Sequence, residues 1–110
     1  MSDQAPAIIR VAVIEDDQMF RDGLVFLLNA TAGLKCVAAF TNATEALNGN
    51  ALRPGNVEVV LLDLDLGSGE PDGNASLPRL RERVPTAKFL MLTALDQPER
   101  IFESVRRGAA

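Results

Sequence analysis

The chain has 110 residues and a formal net charge of −4, and this length is that of a single domain. With 47% hydrophobic and 24% charged residues, the composition is that of an ordinary globular protein and excludes a disordered tail. The acidic balance argues against a nucleic-acid-binding domain, which normally carries a basic patch.

The opening residues argue against a secreted protein, and the apolar runs argue against a membrane protein. The first residues lack the basic and apolar stretches of a secretory signal. The apolar runs are far shorter than the ~20 residues of a membrane helix, so a cytoplasmic location without a membrane partner is expected. The single cysteine, Cys36, lies in an apolar run, which predicts a small buried thiol. No histidine is present to activate it, so a catalytic thiol is not favoured.

The first third of the chain predicts a strand, a helix and a second strand. The segment of residues 8–14 is short and rich in β-branched residues, which is typical of a buried strand. Residues 18–30 predict a helix, because Phe20, Leu24, Leu27 and Leu28 lie at helical spacing. Asp17 is suited to be its N-cap, and Gly33 follows its end. The apolar residues 34–40 then predict the second strand.

The middle of the chain repeats this pattern. A short second helix is predicted through Leu47, capped by Thr41 or Asn42 and stopped by a turn at residues 48–50. The apolar residues 57–63 predict a third strand.

A third helix and a fourth strand follow a polar loop at residues 67–74. Leu77, Leu80 and Val84 have the spacing of one helix face. Pro78 is acceptable in such a helix only near its first turn. Residues 88–93 predict the fourth strand.

A fourth helix is expected to begin at Pro98, to bury Ile101, Phe102 and Val105, and to end at Gly108. The order is therefore βα repeated four times. Such alternation predicts a parallel sheet covered by helices on both faces.

Three of the predicted strands have residues at their ends that suit phosphate and metal chemistry. Glu15 and Asp16 lie at the end of the first strand, Asp63 and Asp65 at the end of the third, and Thr93 at the end of the fourth. Parallel strands end at one edge, where crowded carboxylates repel unless a cation lies among them. Oxygen ligands without histidine favour Mg²⁺. An aspartate beside Mg²⁺ can accept a phosphoryl group, and a hydroxyl can bond to it.

Each of these residues also has a simpler interpretation. Acidic residues after a strand often cap the next helix or lie in a solvated loop. Acidic residues at two strand ends with a threonine at a third are harder to explain as coincidence, which favours the functional interpretation of the set.

Four segments are similar, in order and spacing, to the receiver domain of two-component response regulators. They are residues 11–24 (VAVIEDDQMFRDGL), 57–66 (VEVVLLDLDL), 89–94 (FLMLTA) and 106–110 (RRGAA). The resemblance runs from about Ile8 to the last residue. It implies an α/β flavodoxin-like fold, a doubly wound parallel sheet with strand order 2-1-3-4.

The resemblance also implies a role for each candidate residue. Asp63 would be phosphorylated by a histidine kinase and would contact the metal. Asp16 would bind Mg²⁺ directly, Glu15 through water, and Asp65 through its main-chain carbonyl. Thr93 would be the switch hydroxyl, moving toward the phosphoryl group together with the loop after the fourth strand. The chain would be a regulatory domain that catalyses only its own phosphoryl transfer and hydrolysis.

Two departures from the family stand out. Gly67 occupies the place of a proline, and the matching glycine, Gly73, comes two residues late, which is interpreted as an insertion. The fifth strand, with the lysine that pairs with the phosphoryl group, and the fifth helix are missing. Residues 1–110 are therefore interpreted as a receiver domain truncated after its fourth βα unit. An exposed edge at strand four would favour a homodimer, formed with or without exchange of elements, or leave the fold marginally stable.

Residues 20–24 (FRDGL) and 33–34 (GL) most resemble regulators that carry a C-terminal helix-turn-helix domain. The parent protein would then control transcription, with DNA bound only by a domain beyond Ala110.

Two alternatives come from other classes. Asp63 and Asp65 resemble the Asp-x-Asp of haloacid-dehalogenase-type phosphatases, but two βα units precede them, and that family begins with this motif. A receiver-like interaction module that is never phosphorylated is the other alternative, which the altered loop and the missing lysine keep open.

Overall fold

The computed structural model describes residues 8–62, residues 73–91 and Val105, and for residues 73–76 it describes the backbone alone. The strands are β1 (Ile9–Ile14), β2 (Leu34–Phe40), β3 (Val59–Leu62) and β4 (Lys88–Met91), and the helices are α1 (Gln18–Ala30), α2 (Ala43–Asn48) and α3 (Gly73–Arg83). They alternate along the chain as the sequence predicts. None of these helices has the length and apolarity needed to cross a membrane.

The four strands form one parallel sheet in the order β2-β1-β3-β4. This confirms the predicted fold class and strand order. The chain passes from β1 to β2 on one side and returns to β3 on the other, so the direction of winding reverses between β1 and β3. In open α/β sheets, ligand sites form at such a reversal, outside the carboxyl ends of the strands.

Both faces of the sheet are covered, because successive side chains of a strand point to opposite faces. A first cluster packs the sheet against α2 and α3 and contains Ala12, Ile14, Phe40, Ala43, Ala46, Leu52, Val57, Val60, Leu62, Leu80 and Val84. A second cluster packs the other face against α1 and contains Val11, Val13, Leu24, Leu28, Leu34, Val59, Leu61 and Val105. Burial on both sides explains why β1 and β3 have nearly continuous apolar sequences.

Val105 is helical and fully buried in the second cluster. Its burial agrees with the predicted inner face of the fourth helix. Pro98, Ile101, Phe102 and Gly108, which belong to the same prediction, lie outside the described residues.

Side chains cap the first two helices. Asp17 accepts a hydrogen bond from the main-chain N–H of Phe20 at the start of α1, as predicted. At α2, Asn42 rather than Thr41 is the N-cap and accepts from the N–H of Glu45. The Glu45 carboxylate in turn accepts from the N–H of Thr41. This reciprocal pair is close to a capping box, and it satisfies main-chain donors that the helix itself leaves unpaired.

The prediction that Pro78 lies near the first turn of its helix is wrong. α3 begins at Gly73, so Pro78 is the sixth residue of the helix. Gly73 and Asn74 are helical and not part of the predicted loop. The apolar spacing used to locate the helix marks only its buried face, and it misses a first turn without apolar side chains. Proline has no N–H to donate to the preceding turn, so α3 lacks one internal hydrogen bond.

Two smaller expectations concern Gly33, just before β2, and Cys36, within it. Gly33 has a positive φ of 86° and forms the turn into β2, while Thr31 is the C-cap of α1. Cys36 was predicted to be a buried thiol, but it is only partly buried. Burial raises the pKa of the Cys36 thiol, and a main-chain hydrogen bond with Ala38 lowers it by less. The thiol is therefore mostly protonated at neutral pH, as expected for an unreactive cysteine.

Candidate functional site

The carboxyl ends of β1, β3 and β4 lie level with one another. Ile14, the last residue of β1, pairs with Leu62, the last residue of β3, and Leu62 pairs with Met91, the last residue of β4. Glu15 follows Ile14 in the chain and Asp63 follows Leu62. The β1 and β3 ends border the reversal of strand order, where a ligand site is expected.

Glu15 is the buried polar residue at this edge. Its exposed fraction is 2%. Its main-chain N–H donates to the carbonyl of Phe40 at 3.0 Å, which extends the contact between β1 and β2 by one residue. One carboxylate oxygen accepts from the main-chain N–H of Asp17 at 2.9 Å. The carboxylate therefore folds over the turn that leads into α1.

The turn is also tied to the helix that follows it. The Arg21 guanidinium donates to the main-chain carbonyl of Glu15 at 2.8 Å. The main-chain N–H of Arg21 donates to the carbonyl of Asp17 at 2.8 Å, inside the first turn of α1. Glu15, Asp16 and Asp17, called the acidic turn below, are thus held by bonds from both the sheet and α1.

The described part of this site suits a hard cation. Asp16 is partly exposed beside the buried Glu15, and both residues supply carboxylate oxygens, the ligands that Mg²⁺ prefers. Within residues 8–62 and 73–91, no three histidine, cysteine, aspartate or glutamate side chains are arranged so that together they could hold a metal ion. The other two predicted ligands, Asp63 and Asp65, lie outside these ranges.

A second charged group lies at the opposite end of the sheet. Arg10 and Glu58 form an ion pair with an N–O distance of 3.2 Å, and Glu58 precedes β3. Burial raises the pKa of Glu58, but the hydrogen bonds and charge of Arg10 outweigh it, so that the net pKa lies below the ordinary value. Because this pair is at the amino ends of the strands, it serves the fold and not the candidate site.

Residues 11–110 match the sequence profile of the response regulator receiver domain. The chain belongs to this family. The match confirms the predicted family and decides against the phosphatase alternative. It does not distinguish a receiver domain that is phosphorylated from one that is not.

The relatives of this receiver domain are longer proteins. The oxygen regulatory protein NreC of Staphylococcus epidermidis is 27% identical over 101 residues, which are 92% of this chain and 45% of NreC. NreC of Staphylococcus aureus gives the same identity and coverage. The chain thus spans less than half the length of these relatives.

Solved structures have the same fold at lower identity. A LuxR family DNA-binding response regulator from Silicibacter pomeroyi is 16% identical, with a TM-score of 0.68 over 93% of this chain and 91% of that chain. A CheY-like receiver domain protein from Methanospirillum hungatei is 17% identical, with a TM-score of 0.70 over 94% of each chain. A chain of the complex between the phosphorylated P1 domain of CheA3 and CheY6 from R. sphaeroides is 22% identical, with a TM-score of 0.72 over 93% of this chain and 98% of that chain.

Of the predicted site residues, the structure describes only Glu15 and Asp16, which are neighbours in the chain directly after β1. The predicted phosphoacceptor Asp63, the ligand Asp65 and the switch residue Thr93 lie outside the described residues, and their roles stay predictions.

Sequence reasoning missed Arg21 as part of this site. The residue appeared only within a segment similar to the family, without a role. The available signal was a basic residue in the first turn of a helix that starts directly after an acidic pair. Its hydrogen bond goes to a main-chain carbonyl, and sequence patterns carry no information about such acceptors.

Proposed function

We propose that this receiver domain accepts a phosphoryl group on Asp63 from a histidine kinase, in a reaction that requires Mg²⁺. The observation that carries the proposal is the level, adjacent position of the β1 and β3 ends, with buried Glu15 at the first of them. Asp63 follows β3 directly in the sequence. Carboxylates from two neighbouring strand ends are what a phosphoacceptor site with a divalent cation needs.

Each residue has a distinct part in the proposed reaction. Asp16 would bind Mg²⁺ directly, Glu15 through water, and Asp65 through its main-chain carbonyl. Asp63 would be a metal ligand and also the nucleophile: its carboxylate oxygen forms the bond to phosphorus while the bond from phosphorus to the histidine nitrogen of the kinase breaks, and the imidazole leaves. Mg²⁺, when bound, offsets the negative charge on the phosphoryl oxygens. The bond from Asp17 to the Glu15 carboxylate keeps that side chain at the edge of the sheet.

Thr93 is proposed to convert phosphorylation into a signal. Its hydroxyl donates a hydrogen bond to a phosphoryl oxygen and moves toward it, together with the loop after β4. A local change of charge thereby biases an element with two conformations, and the surface that it presents to partners changes.

The test is the intact mass of the chain after incubation with Mg²⁺ and a small phosphodonor such as acetyl phosphate. We expect wild type to gain one phosphoryl group, and Asp63→Asn to gain none. Asp22→Asn is the matched control, because Asp22 is an exposed aspartate of α1 outside the site. We expect it to behave as wild type.

Two results would contradict the proposal. Phosphorylation of Asp63→Asn to the same extent as wild type would exclude Asp63 as the acceptor. Absence of any gain, with no loss of Mg²⁺ affinity in Asp16→Ala, would favour the interaction module that is never phosphorylated.

We further propose that the domain belongs to a cytoplasmic transcription regulator whose DNA-binding domain lies elsewhere in the protein. This rests on the resemblance of residues 20–24 to regulators with a helix-turn-helix domain and on the fraction of NreC that the chain covers. A gene whose product contains no such domain would contradict it.

A second copy of the chain is a proposed partner through the edge of β4, which is an outer strand of the described sheet. Unpaired main-chain groups at such an edge favour pairing with another strand. Sedimentation of a single monomeric species at high concentration would contradict this association.

A further inference from the structure

Arg21 joins α1 to the acidic turn at a main-chain atom. We propose that Arg21 is a positioning residue that sets the Mg²⁺ affinity of the site, and this inference rests on the proposed function. The guanidinium donates to the Glu15 carbonyl at 2.8 Å. That carbonyl belongs to the peptide bond between Glu15 and Asp16. The bond therefore fixes the peptide plane from which Asp16 projects.

The acidic turn is held at three further points, so this plane has little freedom. The Glu15 N–H is bonded to Phe40 at 3.0 Å, on the sheet side. The Glu15 carboxylate is bonded to the N–H of Asp17 at 2.9 Å, and Asp17 caps α1 through the N–H of Phe20 at 3.2 Å. Without Arg21, the Glu15 carbonyl loses the bond that ties it to the helix, and the orientation of the peptide plane before Asp16 is less restricted.

Rotation of this peptide is costly for Mg²⁺ binding. Mg²⁺ requires near-ideal octahedral geometry with short ligand distances. Residues that orient metal ligands, without touching the metal, typically change its affinity by about 10-fold to 100-fold when they are replaced. Arg21 would orient Asp16, the proposed direct ligand, without touching the metal.

The charge of Arg21 acts in the opposite direction. A guanidinium near the site repels Mg²⁺, so its removal by itself would strengthen metal binding. The partly exposed position of Arg21 weakens this repulsion through solvent and salt screening. The positioning effect thus predicts that removal of Arg21 weakens Mg²⁺ binding, whereas the charge effect predicts that it strengthens Mg²⁺ binding. The measured direction of the change decides between them.

The test is the Mg²⁺ dissociation constant from isothermal titration calorimetry, with the unfolding midpoint of each variant measured in EDTA. Arg21→Met removes the donors and the charge, and we expect it to weaken Mg²⁺ binding about 10-fold. Arg21→Lys retains a donor and the charge, and we expect it to restore most of the affinity.

Arg83→Met is the matched control, because Arg83 also donates to main-chain carbonyls but far from the site. We expect it to lower the unfolding midpoint and to leave the Mg²⁺ dissociation constant unchanged. A purely structural role for Arg21 would make its variants behave as Arg83→Met does.

The outcomes separate the two proposals. Suppose that wild type binds Mg²⁺ and Asp16→Ala does not. Unchanged or tighter Mg²⁺ binding by Arg21→Met would then overturn the role of Arg21 and leave the proposed function intact. Absence of Mg²⁺ binding by wild type overturns both. If Arg21→Met does not fold, Arg21→Gln replaces it with the same expected direction, because its shorter side chain cannot span the distance to the Glu15 carbonyl.

Discussion

At the scale of single residues, the side chain of Arg83 connects two helices. Its guanidinium donates to three main-chain carbonyls, those of Leu47, Gly49 and Leu52. These carbonyls lie at the end of α2 and in the segment after it, whereas Arg83 ends α3. The guanidinium therefore satisfies acceptors that α2 leaves unpaired at its C-terminus and joins the two helices on this face of the sheet.

We expect Arg83→Met to lower the free energy of unfolding by about 1–3 kcal/mol, because partly buried carbonyls lose their donors. Urea unfolding followed by far-ultraviolet circular dichroism measures the change, since the chain has no tryptophan or tyrosine. Arg79→Met is the control on the exposed side of the same helix. Equal losses for both variants would show that the three bonds do not stabilise the fold.

The ion pair of Arg10 and Glu58 predicts a pH dependence of stability. Arg10 holds the pKa of Glu58 below its ordinary value of 4.5, so the pair stabilises the folded state above that pH. The contribution is lost as the pH falls through the lowered pKa. Because the Glu58 side chain is 42% exposed, we expect less than about 1 kcal/mol.

The difference between wild type and Glu58→Gln measures this contribution. We expect wild type to be more stable at pH 7, and the difference to shrink toward zero well below pH 4.5. Glu82→Gln, at an exposed position of α3, should show no such trend. A difference that grows as the pH falls would contradict the direction of the pKa shift.

At the scale of elements, α1 has two faces of different importance. Leu24 and Leu28 are buried in the second cluster, whereas Met19 and Phe26 are 86% and 71% exposed. The apolar spacing of the sequence correctly located the helix. Of the residues whose spacing predicted the helix, Leu24 and Leu28 are buried, whereas Phe20 is exposed at the start of the helix.

Alanine substitutions on the two faces of α1 test this assignment. We expect Leu28→Ala to lower the free energy of unfolding by about 2–5 kcal/mol, because it leaves a cavity in the core. Phe26→Ala should change it by less than about 0.5 kcal/mol, because its ring is mostly in water. Denaturant unfolding of both variants gives the comparison, and a larger loss for Phe26→Ala would mean that α1 packs through the opposite face.

The edge strand β2 is irregular. Its register with β1 shifts between Val11 and Ala12, so that Val37 is an extra residue on β2. The side chain of Asn29, from α1, accepts from the N–H of Cys36 at 2.9 Å. A bulge and a satisfied edge donor both disfavour pairing with another strand, which directs the proposed self-association to β4.

At the scale of the whole molecule, the fold and the proposed metal site are thermodynamically linked. A ligand that binds only the folded state stabilises it, by about 2.7 kcal/mol at a free concentration 100 times its dissociation constant. We expect Mg²⁺ to raise the unfolding midpoint of wild type and not that of Asp16→Ala. Asp22→Ala, with the same chemical change at an exposed site on α1, should respond as wild type. An equal shift in all three proteins would indicate a general salt effect.

The sequence by itself determined the order of the elements, the bounds of α1 with its cap at Asp17, and the family. These features depend on neighbours in the chain, through apolar periodicity, capping residues and short motifs. It also placed Glu15 and Asp16 at a strand end. The start of α3 was predicted less well, because no apolar spacing marks that turn.

The tertiary structure decided which groups meet across the chain. The bond from Arg83 to Gly49 spans 34 residues, and the pairing of Arg10 with Glu58 spans 48. The level ends of β1, β3 and β4 come from the register of the sheet. The contact of Arg21 with Glu15 is closer in sequence, but its acceptor is a main-chain carbonyl, which every residue has. The sequence cannot single out such an acceptor, because only the packing of α1 against the sheet decides which carbonyl lies within reach of the guanidinium.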